Sequence, residues 1–124
     1  MKPFDSLVTF CQTPSLEETH AFYNRLLRLP MVLDQVRCRI YRVARNGYIG
    51  FCVAETPVVP EGVMITLVTD EVDLWFQEIK NAGHHIIKPP ALNTDYNIYH
   101  FFARDPSGYT VEIQRFEDPR WKRE

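Results

Sequence analysis

Apolar side chains recur in two rhythms along this chain, every second residue in some stretches and every third or fourth in others. The first half opens with a predicted strand at about Leu7 to Gln12. A helix follows from about Ser15 to Leu29, where Ser15 caps and Glu18 completes a Ser-x-x-Glu capping box. Alternating segments at about Gln35 to Val43 and Tyr48 to Ala54, joined by Arg45-Asn46-Gly47, predict a hairpin. A proline-rich bridge, Thr56-Pro57-Val58-Val59-Pro60-Glu61-Gly62, then interrupts both rhythms.

Beyond the bridge the same order returns. Val63 to Val68 reads as a strand, Glu71 to Ala82 as a helix with Gly83 just past its end, and His85 to Lys88 as a short strand. The segment Phe101 to Gln114 predicts a second hairpin around Asp105-Pro106-Ser107-Gly108, which supplies a turn-starting carboxylate, a fixed φ and a glycine free to take positive φ. On its closing strand Val111 and Ile113 point one way while Thr110, Glu112 and Gln114 point the other. The chain therefore reads as one strand-helix-strand unit written twice: module 1 at about 5–56, module 2 at about 62–116 and a tail at 117–124. Each helix covers one face of its sheet, and the other face must meet a partner. Two curved sheets facing one another would enclose a cavity.

Composition narrows the function classes. With 124 residues, 45% hydrophobic, 24% charged and 13% aromatic, the chain suits one compact soluble domain over 1–124. The net charge of −2 and scattered basic residues, apart from Arg37-Cys38-Arg39 and Pro119-Arg120-Trp121-Lys122-Arg123, argue against a nucleic-acid or membrane surface. No apolar signal core opens the chain, and no apolar run reaches the roughly 18 residues of a membrane span, so a cytoplasmic protein is expected. Cys11, Cys38 and Cys52 are isolated and odd in number, which fits reduced core thiols better than a disulfide framework or a zinc site.

Three stretches carry a family likeness: Ala21-Phe22-Tyr23-Asn24-Arg25-Leu26-Leu27, the second helix from Asp70-Glu71-Val72-Asp73 to Asn81-Ala82-Gly83, and Phe101 to Ile113 as Phe-x-x-Asp-Pro-x-Gly-x-x-x-Glu-Ile. In these the chain resembles the vicinal oxygen chelate superfamily, the glyoxalase / bleomycin-resistance / extradiol dioxygenase group. The resemblance implies an α+β fold of two paired βαβββ modules forming a U-shaped, curved mixed sheet with helices on the outer face, often in a homodimer. The bridge from Pro57 to Pro60 suits pairing of modules within one chain or across a twofold axis.

Many members of that family hold a divalent metal with one inward residue from the first and last strands of each module. Carried over position by position, Glu112 supplies one hard oxygen donor, whereas the other three positions fall on Val8, Phe51 and Met64. A one-residue slip would present Leu7 and Thr9, or Val63 and Ile65, which serve no better. The expectation is a chain with no metal site and no cofactor, a divalent metal bound through Glu112 being the alternative.

His100, Phe102 and Arg104 share a strand face that should pair with Thr110, Glu112 and Gln114, making His100 and Glu112 neighbours. They form either a hydrogen-bonded polar patch or an acid–base pair, and they are the candidate catalytic residues. His84 and His85 sit where histidine favours a helix C-terminus, and His20 reads as a surface or packing residue. Arg37, Arg39 and Tyr41 alternate onto one face, either a solvated edge or, if inward, a pair of guanidinium groups suited to a ligand carboxylate or phosphate. The remaining predicted lining, Val8, Phe10, Ile49, Phe51, Met64 and Phe102, is apolar and aromatic. Phe10, Phe51, Met64, Phe102, Arg37 and Arg39 are thus the candidate ligand contacts. Two functions are compatible with them: a protein that binds a small, partly aromatic molecule, or a lyase, isomerase or dioxygenase-like enzyme with Glu112 as base or metal ligand.

Overall fold

The computed structural model describes residues 1–122, so Arg123 of the basic tail and Glu124 lie outside the described residues. It divides into two compact units, Met1–Val59 and Pro60 onward, which meet within the predicted proline-rich bridge. Among the described residues, no helix is long and apolar enough to cross a membrane.

The first unit runs β1 (Leu7–Thr13), α1 (Leu16–His20), β2 (Met31–Asp34), β3 (Cys38–Ala44) and β4 (Gly47–Val53). Its sheet has the order β1-β4-β3-β2, with β1 parallel to β4 and the other pairs antiparallel. Ser15 caps α1 as predicted, its Oγ accepting from the Glu18 N–H at 3.1 Å. The reciprocal half of the box is replaced, because the Ser15 N–H donates to Thr13 Oγ1 at 3.1 Å. From Ala21 to Leu26 the helix widens to a π-helical turn, closed by the Leu27 N–H donating to Phe22 O, five residues back, at 2.9 Å. Arg28 at φ 63° then turns the chain out of the helix.

Phe22 and Tyr23 from that turn are buried against the sheet, with the Tyr23 ring 4.6 Å from Phe51. Cys11, Thr13, Tyr41, Ile49 and Phe51 fill the helix-covered face. Alternation sends Phe10, Gly50, Cys38 and Cys52 to the opposite face. There Phe10 lies directly over Gly50, where an added Cβ would stand 2.5 Å from the ring.

The second unit repeats the plan as β5 (Met64–Val68), α2 (Val72–Asn81), β6 (Ile86–Asn93), β7 (Ile98–Arg104) and β8 (Thr110–Phe116). Its order is β5-β8-β7-β6, with β5 parallel to β8. Val72 and Ile79 of α2 are fully buried, as are Phe101, Ala103 and Val111. Phe76 meets Phe101 edge-on at 5.4 Å, so this side of the sheet is the helix-covered one. In the predicted Asp-Pro-Ser-Gly turn, Asp105 Oδ1 accepts from the Ser107 and Tyr109 N–H groups, both at 2.9 Å, and Gly108 takes φ 94°.

The α+β class and the duplicated βαβββ order hold. Two strands differ from expectation. β2 is wholly exposed, so no apolar alternation announces it. β6 extends through Pro89 and Pro90 where only His85 to Lys88 was expected; register shifts on either side of Lys88 break the ladder there, and bulges accommodate prolines in an edge strand.

The expectation of three reduced thiols is also corrected. Cys38 and Cys52 are direct partners across β3 and β4 and form a disulfide, whereas Cys11 is free and buried. Their neighbours in the ladder exchange the bond from the Val53 N–H to Arg37 O at 2.9 Å, which leaves the cysteines in a closely spaced, non-hydrogen-bonded pair with Cα atoms 4.1 Å apart. Denatured but unreduced protein should therefore titrate with one thiol per chain, rising to three after a reducing agent. Three thiols before reduction would contradict the pairing.

Candidate functional site

Burial of Val111 and Ile113 beneath the second helix turns Thr110, Glu112 and Gln114 to the opposite face of that sheet. Register places Thr66 on β5 and Phe102 on β7 directly beside Glu112, while His100 sits one diagonal step away as the partner of Gln114. Met64, the partner of Thr110, lies on the same face and is exposed. Four of the predicted residues, Glu112, His100, Phe102 and Met64, are thereby brought together.

A hydrogen-bonded chain crosses three strands at this point. Thr66 Oγ1 donates to Glu112 Oε1 at 2.8 Å, and His100 Nδ1 meets Glu112 Oε2 at 2.5 Å. The carboxylate side chain is 9% exposed and the imidazole 13%. A carboxylate that far out of water requires partners, and here each oxygen has one. The Phe102 ring stands edge-on to the imidazole at 4.8 Å. Sequence reasoning found the histidine by counting along a hairpin, but it missed Thr66, which lies 46 residues from Glu112 and is joined to it only by the parallel pairing of β5 with β8.

The remaining candidates, Phe10, Phe51, Arg37 and Arg39, belong to the first unit. Phe51 is fully buried between Tyr23 and Tyr41, at ring distances of 4.6 and 6.3 Å, on the helix-covered face of the first sheet; Ile49 follows it there. Counting from Gly47 misassigned Phe51 as the counterpart of Glu112, because the first hairpin turn is shorter. The residue that pairs with Phe10 as Glu112 pairs with Thr66 is Gly50. Phe10 does occupy the face away from its helix.

Arg39 shares the Phe51 face, where its Nη2 donates to Glu17 Oε1 at 2.8 Å and its Nε lies 3.7 Å from Asp34. The hydrogen bond from Arg39 holds the Glu17 carboxyl below the usual carboxylate range. Nearby, His20 Nδ1 and the Tyr41 hydroxyl are 2.8 Å apart, and burial pushes the Tyr41 hydroxyl above its ordinary value. His20 is therefore a partner of a buried tyrosine. Arg37 is exposed and pairs with Glu55 at 3.3 Å, a contact of small energetic weight. Both arginines thus have acidic partners within the first unit.

At the Phe116 end of the Glu112-bearing face, Trp121 stacks on Phe116 at 4.0 Å. With Tyr96, Asp118 and Arg120 these rings line an open depression of about 340 Å³. Arg120 is committed to Asp118, whose carboxyl its hydrogen bond lowers to about 2.

Comparison with known proteins gives the class. The profile of the glyoxalase/bleomycin resistance protein/dioxygenase superfamily matches residues 7–113. The chain belongs to that superfamily. A glyoxalase-related enzyme from Fulvimarina pelagi is similar in fold, with TM-score 0.76, 18% identity, and coverage of 93% of this chain and 88% of the other. A glyoxalase/bleomycin resistance protein/dioxygenase from Alicyclobacillus acidocaldarius gives TM-score 0.76 at 15% identity, covering 96% of each chain. A virulence protein from Salmonella typhimurium gives 0.71 at 19%, covering 94% of this chain and 98% of the other. No curated protein matches the sequence.

The family implies a divalent metal. Both oxygens of Glu112 are already in hydrogen bonds, and among the described residues no three His, Cys, Asp or Glu side chains gather as a metal-binding group. Around Glu112 the further positions are Met64, Thr66, Phe102, His100 and Gln114, of which His100 is the one strong donor and already meets Glu112 through Nδ1. One carboxylate and one imidazole bonded to each other fall short of the roughly three protein donors such ions take, so this set does not fit the ion.

If Phe51 is a core residue rather than a ligand contact, Phe51→Ala should cost about 3–5 kcal/mol of stability through the cavity it opens. Urea unfolding would show it with no ligand present. A loss below 1 kcal/mol, or one visible only with ligand, would contradict the placement.

Proposed function

We propose that this protein is a glyoxalase/bleomycin-resistance-like binding protein for a small, partly aromatic molecule, held on the face of the second sheet that carries Glu112 and His100. The observation that carries the reading is the Thr66–Glu112–His100 chain: a shielded carboxylate and imidazole, fixed by each other, beside the ring of Phe102 and the thioether of Met64. Apolar side chains with a few convergent polar groups suit a ligand with one ring and one polar end. The protein works without a divalent metal on this reading, the donor set around Glu112 being its support.

Its test is direct. Purified protein should contain far less than one equivalent of manganese, iron or zinc. Aromatic compounds should raise its melting temperature, and Phe102→Ala should remove that rise. Stoichiometric metal that disappears in Glu112→Ala would overturn the metal-free reading, and isomerisation of a 2-oxoaldehyde lost in the same variant would replace binding with catalysis. That second reading, an enzyme of the family using Glu112 and His100 for proton transfer, is favoured by their 2.5 Å contact.

The proposal includes a homodimer. Leu7 and Phe10 on β1 of the first sheet, and Met64 and Val68 on β5 of the second, are exposed apolar side chains on edge strands, and each such edge invites pairing with another chain. Light scattering on purified protein should give about twice the chain mass of 14.6 kDa, and a monomer at all concentrations would exclude it.

A further inference from the structure

Resting on that binding reading, we infer that His100 Nε2 is the atom that meets the ligand, and that the ligand offers it a hydrogen-bond donor, such as an acidic hydroxyl on a flat ring. Glu112, the residue to which the family resemblance directs attention, is on this inference a positioning residue.

The argument is one of hydrogen-bond capacity. An ionised carboxylate can only accept. The Thr66 hydroxyl donates to Oε1 at 2.8 Å, so the partner of Oε2 at 2.5 Å must also be a donor. His100 Nδ1 therefore carries a proton, and on a ring with that one proton Nε2 keeps its lone pair free. Among the described residues no protein group hydrogen-bonds Nε2, and the imidazole retains 13% exposure. A buried orphan would be costly, yet Nε2 is not among the buried polar atoms without partners. The face thus presents an accepting nitrogen on a ring whose centre lies 4.8 Å from that of Phe102. A molecule that places a flat ring near Phe102 and directs an O–H at Nε2 satisfies both.

Thr66 acts through Glu112. Its hydroxyl fixes the carboxylate rotamer, the carboxylate fixes the imidazole tautomer, and the tautomer decides what the site accepts. Gln114, the cross-strand partner of His100, is buried on the same face and carries no charge that would compete for the ring.

Phenol and anisole test this, since they share a ring and differ in whether the oxygen carries a proton. Phenol should perturb the His100 and Phe102 resonances in NMR titration, and anisole should bind at least tenfold more weakly. His100→Phe should bring phenol down to the anisole level. Separately, nitrogen-15 spectra of the histidines at pH 8.5 should show His100 with the proton on Nδ1, and Thr66→Val should weaken that preference while leaving the fold intact. Equal binding of the two probes at this face, or a proton found on Nε2 in the free protein, overturns the inference and leaves the binding reading standing. Absence of any shift at His100 or Phe102 with either probe up to its solubility limit overturns both.

Discussion

Everything at the candidate site depends on a parity rule set by helix packing. Phe76 lies on Phe101, and Val111 and Ile113 are sealed beneath the second helix. A strand alternates its side chains, so burial of those two residues fixes Glu112 on the other face. A shift of one residue would exchange the hydrocarbon for the carboxylate and be prohibited by the cost of an unpaired charge under the helix. The position of the acid is thus dictated by hydrophobic residues on either side of it.

Once outside the helix-covered core, the carboxylate is still largely shielded from water, and its surroundings are built accordingly. Thr66 and His100 each occupy one oxygen and so hold the carboxylate in one orientation. The imidazole, bound through one nitrogen only, is the group with unused capacity.

The two units share a strand order and a parallel pairing of first and last strands, yet the equivalent places differ in chemistry. Where Thr66 stands beside Glu112 in the second sheet, Phe10 stands beside Gly50 in the first, its ring occupying the space a side chain at Gly50 would need. The outer polar contacts of the first unit, Arg39 with Glu17 and His20 with Tyr41, serve its helix side instead. Duplication of a fold has left one polar site and one apolar counterpart.

Local rules were enough for the α+β class, the repeated order, the cap at Ser15, the Asp105 turn and the pairing of His100 with Glu112, because each depends on residues close in sequence or within one hairpin. They failed where the deciding partner was distant. The strand β2 has no alternation because no face of it is covered, and Phe51 was displaced by a turn whose length only the register reveals. Cys38 and Cys52 read as separate thiols until the ladder set them opposite one another. Thr66 was invisible as a partner because parallel pairing brings together strands that belong to opposite ends of a module. The sequence alone therefore determined which segments form strands and helices and which face each residue of the last hairpin takes, since period and turn chemistry are local. Only the tertiary structure decided which donors reach Glu112, for that depends on where a strand 46 residues away is laid down.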